Sequence, residues 1–239
     1  MIWIVWLGLG GGLVATLYYL LITTEGVFLG RRIVVWLYDR VATRYDTIKS
    51  FDPDYEEAFL ARPLLQRLDD IPTPHLLDVA TGTGRVPALL LGIEEFCGRV
   101  TALDASALML AQAHTKLAAY GDRVTLVHHP ATPLPFADAT FDAVTCLEAL
   151  EFLPADAAAL QVMVRVLKPG GLLLTTRRCD WEGKVFLHRY RSRENMTHLL
   201  HTLGLIQVEI QVWQVGYEQV WAVKPGEFID EMADNNHSV

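Results

Sequence analysis

HLLDVATGTGR, residues 75–85, is the stretch that decides the fold. An apolar run of strand length passes through Asp78 and ends at Ala80, and two glycines, Gly82 and Gly84, follow it. Behind them, residues 85–93 place apolar side chains at three- and four-residue intervals, the spacing of a helix with one buried face. Strand, glycine turn and helix in that order open a βαβ unit. The alternation continues outward. RVTALD (99–104), RVTLVHH (123–129), FDAVTCL (141–147) and GLLLTTR (171–177) read as further buried parallel strands, with helical spacing in 106–120 and 155–167 between them. Ser106 is placed to cap a helix, and Lys168-Pro169-Gly170-Gly171 signals a stop and a turn. A last helix (194–203) precedes strand-like runs at 206–213 and 217–223, which Gly216 closes as a hairpin. The expected fold is α/β, a Rossmann-like doubly wound sheet of seven strands with helices on both faces.

In such a sheet ligands bind beyond the carboxyl ends of the strands, where the first strand ends. Gly82 and Gly84 let a ligand approach the backbone there. Twenty residues past Gly84, Asp104 ends the second strand, where a carboxylate can accept hydrogen bonds from a ribose diol. A dinucleotide fingerprint needs a third glycine for tight helix packing, and this chain has Pro87 in its place. Asp78 adds negative charge close by. Both features disfavour a pyrophosphate and favour a ligand with a cationic amine and a ribose, which describes S-adenosylmethionine.

LLDVATGTGR (76–85) followed by TALDAS (101–106) resembles the cofactor-binding signature of class I S-adenosylmethionine-dependent methyltransferases. PLPFADATFDAVTCLEALEFL (133–153) and RVLKPGGLLL (165–174) are similar to later motifs of the subgroup that includes the ubiquinone and menaquinone biosynthesis methyltransferases. The resemblance spans about Tyr45 to Leu174. It implies that Asp78, Ala80, Gly82 and Gly84 shape the pocket for the methionine part, with Asp78 near its amine. It further implies that Asp104 holds the ribose, that Ala105 and Met109 border the adenine, and that the Ala131 backbone meets the adenine edge. Glu148 would lie near the methionine end, or cap the helix after it, and Tyr45 would cover the cofactor or serve as a packing aromatic. The chain departs from the pattern at Pro130, where many relatives carry an acid that contacts the adenine amine.

The composition sets the remaining limits. The chain has 239 residues, 51% hydrophobic and 20% charged, with a formal net charge of −8, enough for one domain with a modest appendage. That charge argues against nucleic-acid binding through overall electrostatics. Cys97, Cys146 and Cys179 have no short paired spacing, so no disulfide framework or zinc ribbon is expected. No metal is expected either: His128-His129 and the His198/His201 pair lack further ligands at suitable spacing.

Residues 2–22, IWIVWLGLGGGLVATLYYLLI, carry no charge and as one helix would run about 30 Å. They are expected to form a transmembrane helix, with Trp3, Trp6, Tyr18 and Tyr19 near its ends. Arg31, Arg32, Arg40, Arg44 and Lys49 all follow the run, so a single-pass membrane protein with a cytoplasmic catalytic domain is expected. Gly8 and Gly12 form a G-x-x-x-G pair through which two such helices could approach as a homodimer. The resulting division is a membrane anchor (1–24), a helical lead-in and cofactor lid (25–70), a methyltransferase domain (71–224) and a polar tail (225–239).

Residues 177–193 hold six basic side chains against Asp180 and Glu182, a net +4, and read either as a solvated loop or as a lip for anionic lipid or an acidic substrate. His188 and Tyr190 are the general-base candidates in that segment. A small or lipid-like methyl acceptor is the expected partner. An NAD-dependent oxidoreductase and a non-catalytic membrane-tethered scaffold are the alternatives.

Overall fold

A computed structural model describes residues 2–180, 182–186 and 189–226, with side chains described from residue 10 onward except that of Glu182. Its centre is a seven-stranded sheet of β1 (His75–Val79), β2 (Arg99–Asp104), β3 (Val124–His128), β4 (Phe141–Cys146), β5 (Leu167–Arg178), β6 (Ile206–Gln214) and β7 (Tyr217–Val223). The strand order is β3-β2-β1-β4-β5-β7-β6. The five strands from β3 to β5 are parallel, and β7 inserts antiparallel between β5 and β6. The β6–β7 hairpin turns at Gly216, whose φ of +83° is a conformation glycine adopts freely. The expected turn at Lys168–Gly171 survives as an irregular entry to β5, with Gly170 at φ +77° and a shift in the β4–β5 register.

Alternation along each strand splits the core in two. Leu77 and Val79 pack on one face with Leu160, Met163 and Leu200, while Leu76 packs on the other with Leu64, Leu90 and Trp221. The helices that supply these side chains are α5 (Arg62–Gln66) and α6 (Arg85–Leu91) on the second face, and α8 (Asp156–Val166) and α9 (Arg193–Thr202) on the first. Pro87 is tolerated because it lies in the first turn of α6, where N–H groups have no intrahelical acceptor. Ser106 caps α7 (Ala107–Leu117), accepting from the Met109 N–H at 3.0 Å.

The lead-in is α2 (Arg31–Val41), α3 (Tyr45–Lys49) and α4 (Pro53–Glu56), the last capped by Asp52. Ahead of it, α1 covers Ile2–Tyr18, and a five-residue π-helical turn follows over Tyr19–Thr23. Among the described residues no helix is long and apolar enough to cross a membrane. The regular helix has 17 residues rather than the expected 21, about 26 Å at helical rise against a hydrocarbon core of about 30 Å. The physical reason lies at residues 19–24. The Tyr19 hydroxyl donates to the Val185 carbonyl at 2.6 Å, and Thr24 is buried with its hydroxyl donating to the Tyr19 carbonyl at 3.0 Å, so the end of the apolar run belongs to the globular body. Gly12 has open space around it, whereas Gly8 falls where surroundings are not described. The expected polar tail lies, from residue 227 onward, outside the described residues.

Candidate active site

The carboxyl ends of β1, β2 and β4 open into a cavity of about 930 Å³, its mouth included. Eight residues singled out by sequence meet on its wall: Tyr45, Ala80, Gly82, Asp104, Ala105, Met109, Ala131 and Glu148. Asp104 organises the floor. One carboxylate oxygen accepts from the Gly82 N–H at 2.8 Å and the other from the Ser106 N–H at 2.8 Å. Burial pushes its carboxyl up from the ordinary value, opposed by those backbone donors. An ionised carboxylate has about four acceptor sites, so capacity remains for a diol beside these backbone donors. A Cβ placed on Gly82 would meet open space, so the backbone there is free to approach a ligand.

Two expected wall residues lie elsewhere. Asp78 is only 2% exposed and sits behind the cavity, accepting from the Thr145 hydroxyl at 2.6 Å. Burial pushes its carboxyl up to about 6, with the Thr145 bond opposing the shift. Gly84 packs rather than binds: at φ +79°, a Cβ on it would come 2.9 Å from Leu117 Cδ1 and 3.2 Å from Ala113 Cβ of α7. The close-packing role denied by Pro87 therefore falls to Gly84.

The lead-in closes the cavity. Arg31, Val34, Val35 and Tyr38 of α2 join Tyr45 of α3 on the wall, facing Phe152, Leu153 and Pro154. Tyr45 is half-buried, and burial, reinforced by the Glu148 charge, holds its phenol well above the ordinary value. The lid is fastened by charge. Ser106 donates to Asp39, Thr83 donates to Asp46 at 2.5 Å, and Lys116 pairs with Asp46 at 2.6 Å. Glu148 is no helix cap. It pairs with Lys49 at 2.8 Å and Arg85 at 2.6 Å, and accepts from Gln214 at 2.7 Å. Burial works to raise the Glu148 carboxyl, but Lys49 and Arg85 outweigh it and hold it below the ordinary value. Arg85 also grips buried Glu56 of α4 through two bonds of 2.7 and 2.8 Å. The lead-in over 25–70, expected as a cofactor lid, supplies Arg31, Val34, Val35, Tyr38 and Tyr45 to the wall, whereas nothing in the sequence announces the Glu56–Arg85–Glu148 chain.

The basic segment is not a free cationic lip. Arg177 and Arg193 both pair with Glu218, at 2.6 and 2.5 Å, and Arg191 grips Asp156 at 2.5 and 2.9 Å. Arg189 donates to the Glu151 and Leu153 carbonyls. Asp156 of α8 and Glu218 of β7, which a count within 177–193 omits, offset half of its +4 charge. Tyr190 is half-buried in a separate small pocket with Glu151 and Arg177, off the main cavity wall, so its proposed role as base has no geometric support. His188 lies outside the described residues. His128 and His129 hydrogen-bond to the backbone carbonyls of Ala105 and Pro130, and no metal-holding group of side chains occurs among the described residues. Pro130, Ala131 and Thr132 do reach the wall, leaving backbone and apolar contacts where the acid is missing.

The cavity suits an adenosyl sulfonium compound: a carboxylate for the diol, an open glycine backbone, and apolar Met109 and Ala131 for a base. Comparison with known proteins agrees. Residues 77–175 match the family described as methyltransferase domain. The demethylmenaquinone methyltransferase of Lactiplantibacillus plantarum is 30% identical over 206 residues, 77% of this chain and 87% of that protein. The ubiquinone/menaquinone biosynthesis C-methyltransferase of Geotalea daltonii is 29% identical over 64% of this chain and 66% of its own length. In fold, the chain is similar to a SAM-dependent methyltransferase from Aquifex aeolicus, with TM-score 0.60 and 20% identity over 77% of this chain and 97% of that one. The oxidoreductase and scaffold alternatives fall away. With S-adenosylmethionine as its cofactor, this chain belongs to the class I methyltransferases, within the group that includes the ubiquinone and menaquinone biosynthesis enzymes.

Proposed function

We propose that this enzyme methylates a ring carbon of a quinol-type, lipid-soluble acceptor at a membrane surface. The carrying observation is that the donor cavity shares its walls with an apolar lid, Val34 and Val35 of α2 facing Phe152, Leu153 and Pro154. That lining suits a flat aromatic acceptor with an apolar tail. The names of the relatives, demethylmenaquinone methyltransferases among them, support the same class. Bound S-adenosylmethionine supplies an already activated methyl group. The protein contributes position: Asp104 fixes the ribose end and the lid excludes water. Holding an acceptor in line this way contributes up to roughly 7–11 kcal/mol.

Membrane attachment through the N-terminal segment is part of the same reading. Leu13, Val14, Leu17 and Ile22 are exposed along the apolar helix, Val14 by 67%. Further along the chain α2 presents Trp36, with the Arg40 guanidinium 4.0 Å over its ring, and exposed Arg31 and Arg32. Aromatic and cationic side chains of this kind favour a lipid interface. With every nearby cation following the apolar run, the catalytic body would face the cytoplasm.

The test is transfer of labelled methyl from S-adenosylmethionine to a demethylated naphthoquinol in liposomes. Label in the quinol, lost on removal of residues 1–18 although donor affinity is kept, supports the reading. Truncation should stop before Tyr19, because Tyr19 bonds to Val185 of the globular body and Thr24 is buried. Label that appears only in water-soluble acceptors, at a rate indifferent to liposomes, would refute it.

A further inference from the structure

Methylating a phenolic ring at carbon requires the hydroxyl proton to leave, so that the oxygen's electron pair can be delocalised onto the ring. Most titratable groups on the cavity wall are already engaged. Asp104 accepts from Gly82 and Ser106, and Glu148 is held by Lys49, Arg85 and Gln214. Tyr38 is different. Its half-buried ring lines the cavity, and its hydroxyl donates to Glu25 Oε2 at 2.8 Å. A hydroxyl that gives its hydrogen to a carboxylate offers only lone pairs to anything else it meets. Tyr38 therefore faces an incoming O–H as an acceptor, with a proton sink already attached.

Both partners are held in place. Glu25 sits in the turn after the apolar helix, between buried Thr24 and Gly26, at φ +48°. A Cβ on Gly26 would come 2.7 Å from Ile33 Cγ2 of α2, so this turn is packed directly on the helix that carries Tyr38. The Tyr38 ring meets Phe152 edge-on at 5.9 Å between centroids and Tyr45 at 6.0 Å. Burial first, and the Glu25 charge second, hold the Tyr38 phenol far above its ordinary value, with Tyr45 and Glu151 adding to the effect. It therefore stays protonated at rest and acts by passing a proton on.

We propose that Tyr38 and Glu25 form a proton relay for the acceptor: the acceptor O–H breaks toward the Tyr38 oxygen as the Tyr38 O–H breaks toward the Glu25 carboxylate. The acceptor oxygen keeps the electron pair, Tyr38 ends as it began, and Glu25 holds one extra proton. Glu25 is partly exposed and returns that proton to water. After transfer the ring carbon carries both the new methyl group and its own hydrogen. Loss of that hydrogen as a proton while the oxygen regains one restores the aromatic phenol, so one net proton is released, as a cationic donor methylating a neutral phenol requires. The relay rests on the phenolic-acceptor reading above, and it makes Tyr38 the catalytic group and Glu25 a positioning residue that acts through it.

The test uses the full-length enzyme, S-adenosylmethionine and a short-chain demethylated naphthoquinol as the probe. Tyr38→Phe and Glu25→Gln should each lower kcat about 100-fold or more, the range of lost general-base catalysis. The quinol KM, the donor Kd by calorimetry and the melting temperature should all stay close to wild type. Glu25→Asp, which keeps a carboxylate, should recover most of the rate. Variants with kcat near wild type overturn the relay, as does a rate lost only together with donor affinity and melting temperature. Equal loss in Glu25→Gln and Glu25→Asp overturns it too. A wild-type enzyme that binds the donor but methylates no quinol defeats the acceptor reading, and the relay with it.

Discussion

Replacing Asp78 by asparagine should make this protein more stable at alkaline pH and leave it unchanged in acid. The Asp78 carboxyl is 2% exposed, with a 2.6 Å bond from the Thr145 hydroxyl. Burial lifts it from an ordinary value of 3.8 to about 6, against the pull of that bond. A carboxyl whose folded value lies above its unfolded one favours the folded state fully below the unfolded value. That contribution is lost as pH rises through the folded value. At about 1.4 kcal/mol per tenfold, the ionised carboxylate at pH 8 costs about 3 kcal/mol relative to the protonated form. Asp78→Asn keeps an oxygen for Thr145 and removes the charge. It should exceed wild type by about 1–3 kcal/mol at pH 8, with the difference closing between pH 6 and pH 4. Urea unfolding at fixed pH steps, with unchanged slopes, measures this directly. An Asp78→Asn displacement of equal size at pH 4 and pH 8 would refute the assignment of the cost to a buried charge.

The two glycines after β1 should respond differently to alanine. Gly84→Ala drives a Cβ against Leu117 and Ala113 and should cost about 1–3 kcal/mol of stability. Gly82→Ala meets open space and pays only the left-handed backbone cost of φ +56°, about 1–2 kcal/mol, which Gly84→Ala pays as well, but it should also weaken S-adenosylmethionine binding, which paired melting and calorimetry would separate. Arg85→Met strands buried Glu56 and Glu148 without their shared cation and should cost about 3–5 kcal/mol at pH 7. Burial already raises the Glu56 carboxyl despite Arg85, so this loss should shrink at pH 5, where the stranded acid takes up a proton.

The parts of the fold legible in the sequence were those written in local periodicity. Strands 99–104 and 217–223 begin and end where their apolar runs do, and Ser106 caps α7 as its residue type suggests. The donor pocket was legible because Gly82 and Asp104 close it through one hydrogen bond across a βα turn. What escaped depends on partners far apart in the chain. Arg85 and Glu148 are 63 positions apart, and Arg193 and Glu218 are 25 apart, so neither pairing leaves a local trace. The N-terminal run looks uniform by hydropathy. Its division at Tyr19 is imposed by a hydroxyl that reaches Val185, a tertiary contact that overrides local pattern. Tyr38 escaped for a similar reason: a tyrosine among apolar residues reads as packing until its bond to Glu25 is seen.

The central claim is that the hollow beyond β1 and β2 receives an adenosyl sulfonium compound, held at its ribose by Asp104. Titration calorimetry of the wild-type chain and Asp104→Ala, each with S-adenosylmethionine and S-adenosylhomocysteine, tests it most directly. Charge-assisted bonds of about 1.5–3 kcal/mol each predict saturable binding of both compounds by wild type, weakened at least about tenfold in the variant. No binding of either compound by the wild-type chain, or equal affinity in a folded Asp104→Ala, would contradict the account.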